Sequence, residues 1–166
     1  SGLVGVRPFR APHHTISASG LVGGGSVPTP GEASRAHHGV RFLDELTEFP
    51  RSTLEALRQP LEDGRAAIVR GQRAAIFPTR FMLLAATNPC PCGGGPPGAC
   101  SCDEGARSRY LRRLSGPLLD RFDLRIGVHR PAVDELLSPS GAERTVTVAA
   151  RVAAATSSAA WIATCG

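Results

Sequence analysis

Val40-Arg41-Phe42-Leu43-Asp44-Glu45 is an apolar run that stops on two adjacent carboxylates. A short apolar stretch bounded by Gly39 and by charge has the pattern of a buried parallel strand. In open α/β sheets ligands sit beyond the carboxyl ends of such strands. There one carboxylate can hold Mg2+ through its waters while its neighbour orients an attacking water, the division of labour that phosphoryl transfer requires. The same residues also fit a strand followed by a helix whose first turn carries Asp44, Glu45 and Glu48 against the helix dipole. These six residues alone leave both readings open, and other parts of the chain must separate them.

The 166 residues suffice for one domain with a real core, and 42% hydrophobic with 20% charged residues is ordinary globular composition. No apolar stretch reaches membrane-spanning length and nothing near Ser1 resembles a secretory signal, so the expectation is a soluble cytoplasmic protein or a fragment of one, with no membrane partner. The net charge of +5 is carried by arginine without a single lysine. Guanidinium grips phosphate and carboxylate in a bidentate way, which makes a phosphate-bearing partner plausible. Biased Arg, Ala and Gly usage accounts equally for many of these arginines as solvated surface.

Along the chain, Val4 to Phe9 suggests a short extended segment limited by Pro8 and Pro12. Ile16 to Gly31 is too rich in Gly and Pro for a helix and reads as a mobile loop or irregular hairpin. Leu54, Leu57 and Leu61 recur at helical spacing, with Pro60 and Gly64 marking the end of that helix. Arg65 to Val69 and Ala74 to Phe77 flank Arg70-Gly71-Gln72-Arg73 as a hairpin with arginine at its tip. Phe81 to Ala86 forms a second buried strand that runs out at Thr87-Asn88-Pro89, so polar chemistry again follows an apolar strand. A helix is expected around Arg107 to Leu114, Ser115-Gly116-Pro117 resembles a helix cap, and Leu124 to Val128 is a third apolar run. Beyond Pro131 the sequence drifts into Ala, Thr and Ser with weak periodicity.

Cys90-Pro91-Cys92 and Cys100-Ser101-Cys102 flank a Gly- and Pro-rich loop flexible enough to bring the two pairs together. Four thiolates make a structural Zn2+ site; disulfides are the alternative, disfavoured in an intracellular setting. Cys165 lies apart and reads as an incidental thiol. Adjacent histidines often diverge, so His13, His14, His37 and His38 are read as structural positions before metal ligands.

Five segments together resemble the magnesium-chelatase-like AAA+ ATPases of the ComM/YifB type. They are Arg7-Pro8-Phe9-Arg10-Ala11-Pro12-His13-His14-Thr15, GGGSVPTPGEASRAHHGVRFLDEL from Gly23 to Leu46, LRQPLEDG from Leu57 to Gly64, AATNPCPCG from Ala85 to Gly93, and LSGPLLDRFDL from Leu114 to Leu124. The resemblance implies an α/β fold: a partial AAA+ P-loop NTPase core, a parallel sheet flanked by helices, with a β-hairpin insertion and a cysteine-rich loop. Its ligands would be ATP and Mg2+. Asp44 and Glu45 resemble the Walker B pair, Asp44 supporting Mg2+ and Glu45 polarising the hydrolytic water. Asn88 resembles sensor 1, holding that water or the γ-phosphate, and Arg121 resembles the arginine finger that reaches a neighbouring subunit's nucleotide. That finger implies a homo-oligomer, a hexameric ring. Ile16 to Gly31 resembles the helix 2 insertion and Arg65 to Phe77 the pre-sensor hairpin, elements that face the pore; with DNA there, Arg70 and Arg73 would meet phosphates, although two solvated arginines at a hairpin tip explain the same residues.

The pattern breaks in two places. The phosphate-binding loop GxxxxGK followed by Ser or Thr needs a lysine, and this chain has none. The family places that loop before Arg7, so the expectation is truncation, with residues 1–133 an incomplete core and 134–166 an atypical tail in place of an arginine-bearing lid. The strand leading into the missing loop would be the sheet's central one. Its absence would leave unpaired edges on the strand ending near Asn88 and the one beginning at Leu124, and marginal stability. Three functions follow: part of an AAA+ motor acting on DNA as a helicase or branch-migration factor, the motor subunit of magnesium chelatase, or a non-catalytic zinc-bearing module that binds nucleic acid or neighbouring subunits.

Overall fold

The computed structural model describes residues 6–94, 100–128 and 143–163. Two units separate, Ser1–Gly127 and Val128–Gly166.

In the first unit, β1 (Phe9–Arg10) leads through the PHHT segment to α1 (Ala18–Val22), capped by Ser17, whose hydroxyl accepts the Gly20 amide at 3.1 Å. A two-residue antiparallel pair follows, β2 (Gly23–Gly24) with β3 (Thr29–Pro30), and then α2 (Glu32–Arg35). The segment expected to be a loop or irregular hairpin therefore contains the hairpin and also a short helix. Side-chain capping at Ser17 and burial of Leu21 offset the glycines around it.

The decisive run forms β4 (Val40–Leu43), which pairs in parallel with β1 on one side and with β7 (Met82–Ala85) on the other. Between them lie a 3-10 turn over Leu46–Glu48, α3 (Arg51–Glu55), α4 (Arg58–Asp63) and the antiparallel hairpin of β5 (Arg65–Arg70) and β6 (Arg73–Pro78). The leucines at helical spacing span two short helices instead of one, Leu54 in α3, Leu61 in α4 and Leu57 at the cap between them. Pro60 is tolerated within the first turn of α4, where no amide partner is needed, and Gly64 ends it in the left-handed region at φ 64°. After β7 come α5 (Glu104–Leu111), capped by Asp103, and α6 (Gly116–Leu119), capped by Ser115 with Pro117 in its first turn.

One face of the sheet is covered. Leu43 packs with Leu21, Leu46, Phe49, Leu54, Leu57, Leu114 and Leu118, all buried, and Leu83 and Ala85 join them from β7. Each fully buried leucine contributes about 1.5–3 kcal/mol. Among the described residues nothing covers the other face: Phe9, Met82 and Leu84 are 63%, 60% and 45% exposed, and they share a side with Val40 and Phe42 by register. Parallel strands normally bury both faces.

Leu124 to Val128 does not form the expected strand. Leu124, Ile126 and Val128 are 73%, 73% and 89% exposed, and β7 ends the sheet among the described residues. Among the described residues no strand pairs with this run.

In the second unit, Thr145–Ala163 forms α7, with Arg151 paired to Glu143 at 2.7 Å. Alanine's high helix propensity gives order where hydrophobic periodicity is weak, and residues 143–155 are exposed. The expectations for Val4, Gly5, residues 134–142 and Cys165 fall outside the described residues.

Candidate active site and cysteine cluster

The parallel pairing of β4 with β7 sets two chain segments side by side at the same end of the sheet. Leu43 lies opposite Ala85, the Ala86 amide donates to the Leu43 carbonyl at 2.9 Å, and the Leu46 amide donates to the Ala86 carbonyl at 2.8 Å. Asp44 and Glu45 leave the end of β4 while Thr87 and Asn88 leave the end of β7, all four exposed. The acidic pair precedes a 3-10 turn and does not occupy the first turn of an α-helix, so the helix-dipole alternative loses its geometry.

Glu45 sits in the left-handed region at φ 51°, ψ 49°, a conformation that costs a residue with a Cβ about 1 kcal/mol or more. Its amide donates to Asp44 Oδ1 at 2.9 Å. Its carboxylate reaches His14 Nδ1 at 3.0 Å, and His14 follows β1, so all three strands of the sheet contribute at this end. The His14 ring stands edge-on to Phe49 and lies 4.0 Å from the His13 ring. One histidine of the first pair thus holds an acidic residue. In the second pair, His37 Nδ1 accepts the Arg80 amide at 3.1 Å; burial pushes its imidazole below the ordinary pKa, with the neighbouring His38 and Arg80 adding to the effect.

Beneath the strand ends lies a hydroxyl network that the sequence pattern did not reveal. Buried Thr47 donates to the Tyr110 hydroxyl of α5 and lies 3.2 Å from the Thr87 hydroxyl. Arg113 donates to the Thr47 carbonyl and to Glu48, both at 3.1 Å. Arg41 was also missed as anything but part of an apolar run. Its side chain is fully buried, meets Glu32 at 3.3 Å and leaves Nε and Nη2 without a hydrogen-bond partner. Glu32 in turn accepts two bonds from Arg10, each 2.7 Å. Burial pushes Arg41 down to about 10 while Glu32 opposes the shift. A charge placed inside a strand of hydrophobic residues was the available signal.

Arg121 is not brought to the acidic pair. It follows α6, is exposed, and pairs with Glu62 on α4. Arg70 and Arg73 face each other across the β5–β6 turn, both exposed.

Cys90, Cys92, Cys100 and Cys102 converge, with all four sulfurs within 4.8 Å of one another and Cys90 and Cys92 3.4 Å apart. A hydrogen bond with Cys92 and the crowding of the other sulfurs push the Cys102 thiol up to about 11. Sulfurs around a tetrahedral Zn2+, each at about 2.3 Å from the ion, lie about 3.8 Å apart, so this donor set fits such an ion.

Three parallel strands whose carboxyl ends gather an acidic pair and an asparagine make this a mixed α/β fold with the arrangement of a partial P-loop core. The family model described as "Magnesium chelatase, subunit ChlI" matches residues 1–136, and the chain belongs to that family, as a magnesium-chelatase-like AAA+ protein of the ComM/YifB type. It is 51% identical over 154 residues to uncharacterized protein Rv2897c of Mycobacterium tuberculosis, covering 92% of this chain and 30% of the relative. It is 48% identical over 150 residues to uncharacterized protein YifB of Salmonella typhimurium, covering 90% and 30% respectively. Over 122 residues it is 56% identical to competence protein ComM of Haemophilus influenzae, 74% of this chain and 24% of that protein. The chain thus spans about 30% of the length of the first of these relatives.

Proposed function

We propose that this chain is the Mg2+- and water-handling part of an ATP-hydrolysing ring motor of the cytoplasm that acts on DNA. The observation carrying this reading is the juxtaposition of Asp44-Glu45 with Asn88 at the ends of adjacent parallel strands. Asp44 and Glu45 offer only oxygen donors, which suits Mg2+, an ion that keeps most of its waters. When bound, Mg2+ would neutralise charge on the β and γ phosphates. Asp44 would hold the ion through its waters, Glu45 would draw a proton from the attacking water, and Asn88 would donate its amide to that water or to the γ-phosphate. His14, at 3.0 Å, fixes the Glu45 side chain.

The lysine of a phosphate-binding loop would come from a longer protein that includes this segment. Arg121, which pairs with Glu62 and does not meet Asp44 or Glu45, would serve a neighbouring subunit's nucleotide in a hexameric homo-oligomer. The arginine-tipped hairpin and the competence protein among the relatives favour DNA over a porphyrin-metallating partner as the motor's cargo. In a longer chain carrying both this segment and a phosphate-binding loop, Arg121→Ala is expected to abolish ATP hydrolysis while sparing assembly. Normal turnover by that variant would overturn the ring reading.

A further inference from the structure

From Asn88 to Arg109 the described chain places only Cys90 in the buried set, and the main core cluster contains no residue of this segment. A segment with so little apolar burial needs another source of order. Four cysteine sulfurs gather there, and the backbone is shaped to let them. The Gly93 amide donates to the Cys90 carbonyl at 3.1 Å, closing a turn that Gly93 completes at φ 67°. The Gly94 amide donates to Cys92 Sγ at 3.3 Å, an amide–sulfur bond of the kind that steadies a thiolate. A Cβ on Gly94 would stand 2.8 Å from Cys100 Cβ and 3.1 Å from Cys92 Sγ, so the two CxC arms approach as closely as they do only because this position is glycine.

We propose that Cys90, Cys92, Cys100 and Cys102 bind one Zn2+ as a tetrahedral thiolate set, and that this ion fastens the segment following β7 to the start of α5. Sulfurs this close leave room for a single ion and not for a multi-iron cluster, in which separate irons take the separate thiolates. The second arm ends directly at the α5 cap, where Asp103 accepts the Ala106 amide at 2.6 Å. At the far end of α5, Tyr110 meets Thr47, which also contacts Thr87 at the end of β7. The ion and the hydroxyl network therefore tie the same two elements together at two points, with Asn88 on the stretch between them. Binding displaces protons from the four thiols and leaves their oxidation state unchanged. The inference stands whether or not the chain takes part in ATP turnover.

The test uses the full 166-residue chain purified under reducing conditions. Elemental analysis is expected to give one zinc per chain. Replacement by Co2+ should give the intense visible bands and sulfur charge-transfer absorption of a tetrahedral thiolate site. Cys92→Ser combined with Cys102→Ser should lose the metal, while Cys165→Ser should keep it. Stripping zinc from the wild-type chain should speed amide exchange in 88–94 and in α5 while leaving β4 unchanged, a readout that does not depend on any variant folding. Iron in place of zinc, no metal in the reduced wild type, a Co2+ spectrum without thiolate bands, or equal zinc in the double variant would each overturn the proposal.

Discussion

Glu32 is the residue on which the interior electrostatics turn. Its carboxylate is the counter-charge that fully buried Arg41 meets among the described residues, and it also takes both bonds from Arg10. Replacing Glu32 with Gln leaves a guanidinium charge in the core without an opposite charge, a loss on the order of 3 kcal/mol, whereas Arg41→Met removes the buried charge together with its two orphaned nitrogens and should stay within about 1 kcal/mol of wild type. The bond from Arg10 holds the Glu32 carboxyl below its ordinary value of 4.5, so the folded chain binds fewer protons here than the unfolded one. This contribution is therefore complete above the ordinary carboxylate range and is lost as pH falls through it toward the lowered folded pKa. Urea unfolding across that range should show an acid-side loss of stability that Glu32→Gln flattens; an unchanged acid limb in the variant would contradict the pairing. That Asp44, Glu45 and Asn88 stand just past strand ends was legible in the sequence because an apolar run precedes them. The Glu32–Arg41 pair was not, because no periodicity links residues that meet only across α2 and β4.

At the scale of elements, the hairpin of β5 and β6 was the most legible piece, since its turn residues are flanked by two runs of matching length. It buries Ala66 and Ile68 on one side and leaves Val69 and Ile76 63% and 64% exposed on the other. Arg70 and Arg73 project from its tip without an ion pair among those found in the described residues. Double substitution of both by alanine should weaken salt-sensitive DNA binding by a longer ring-forming protein and reduce the salt slope by about two units, one per lost phosphate contact. Binding with an unchanged slope would remove the hairpin from the DNA path. The helix at α1 was less legible: its five residues include one glycine, and only the Ser17 cap and the burial of Leu21 explain it. Helix α7 shows the converse, since its alanines favour helix without a stripe that pattern reading could detect.

For the whole molecule, the missing feature is cover. The core lies on one side of β1, β4 and β7, and the side shared by Phe9, Val40, Phe42, Met82 and Leu84 has no layer against it among the described residues. The family resemblance anticipated exposed edges but not this bare face, because a sheet's second layer can come from residues distant in sequence. Such a patch is a liability for association. The isolated chain should bind a hydrophobic dye strongly and melt broadly, and Leu84→Lys should cut both dye binding and aggregation, since Leu84 is already 45% exposed. A sharp cooperative melt at high temperature with no dye uptake would show that the face is closed.

The central claim is that Asp44 and Glu45, set beside Asn88 by the pairing of β4 with β7, are the carboxylates of an ATPase site. It is tested most directly by ATP binding and single-turnover hydrolysis in a longer protein that supplies the phosphate-binding loop, with and without Glu45→Gln. The variant should retain ATP and Mg2+ while hydrolysis falls by a factor on the order of 100 or more, as expected when a group that activates water is neutralised. Hydrolysis at the wild-type rate would show that Glu45 does not activate the water.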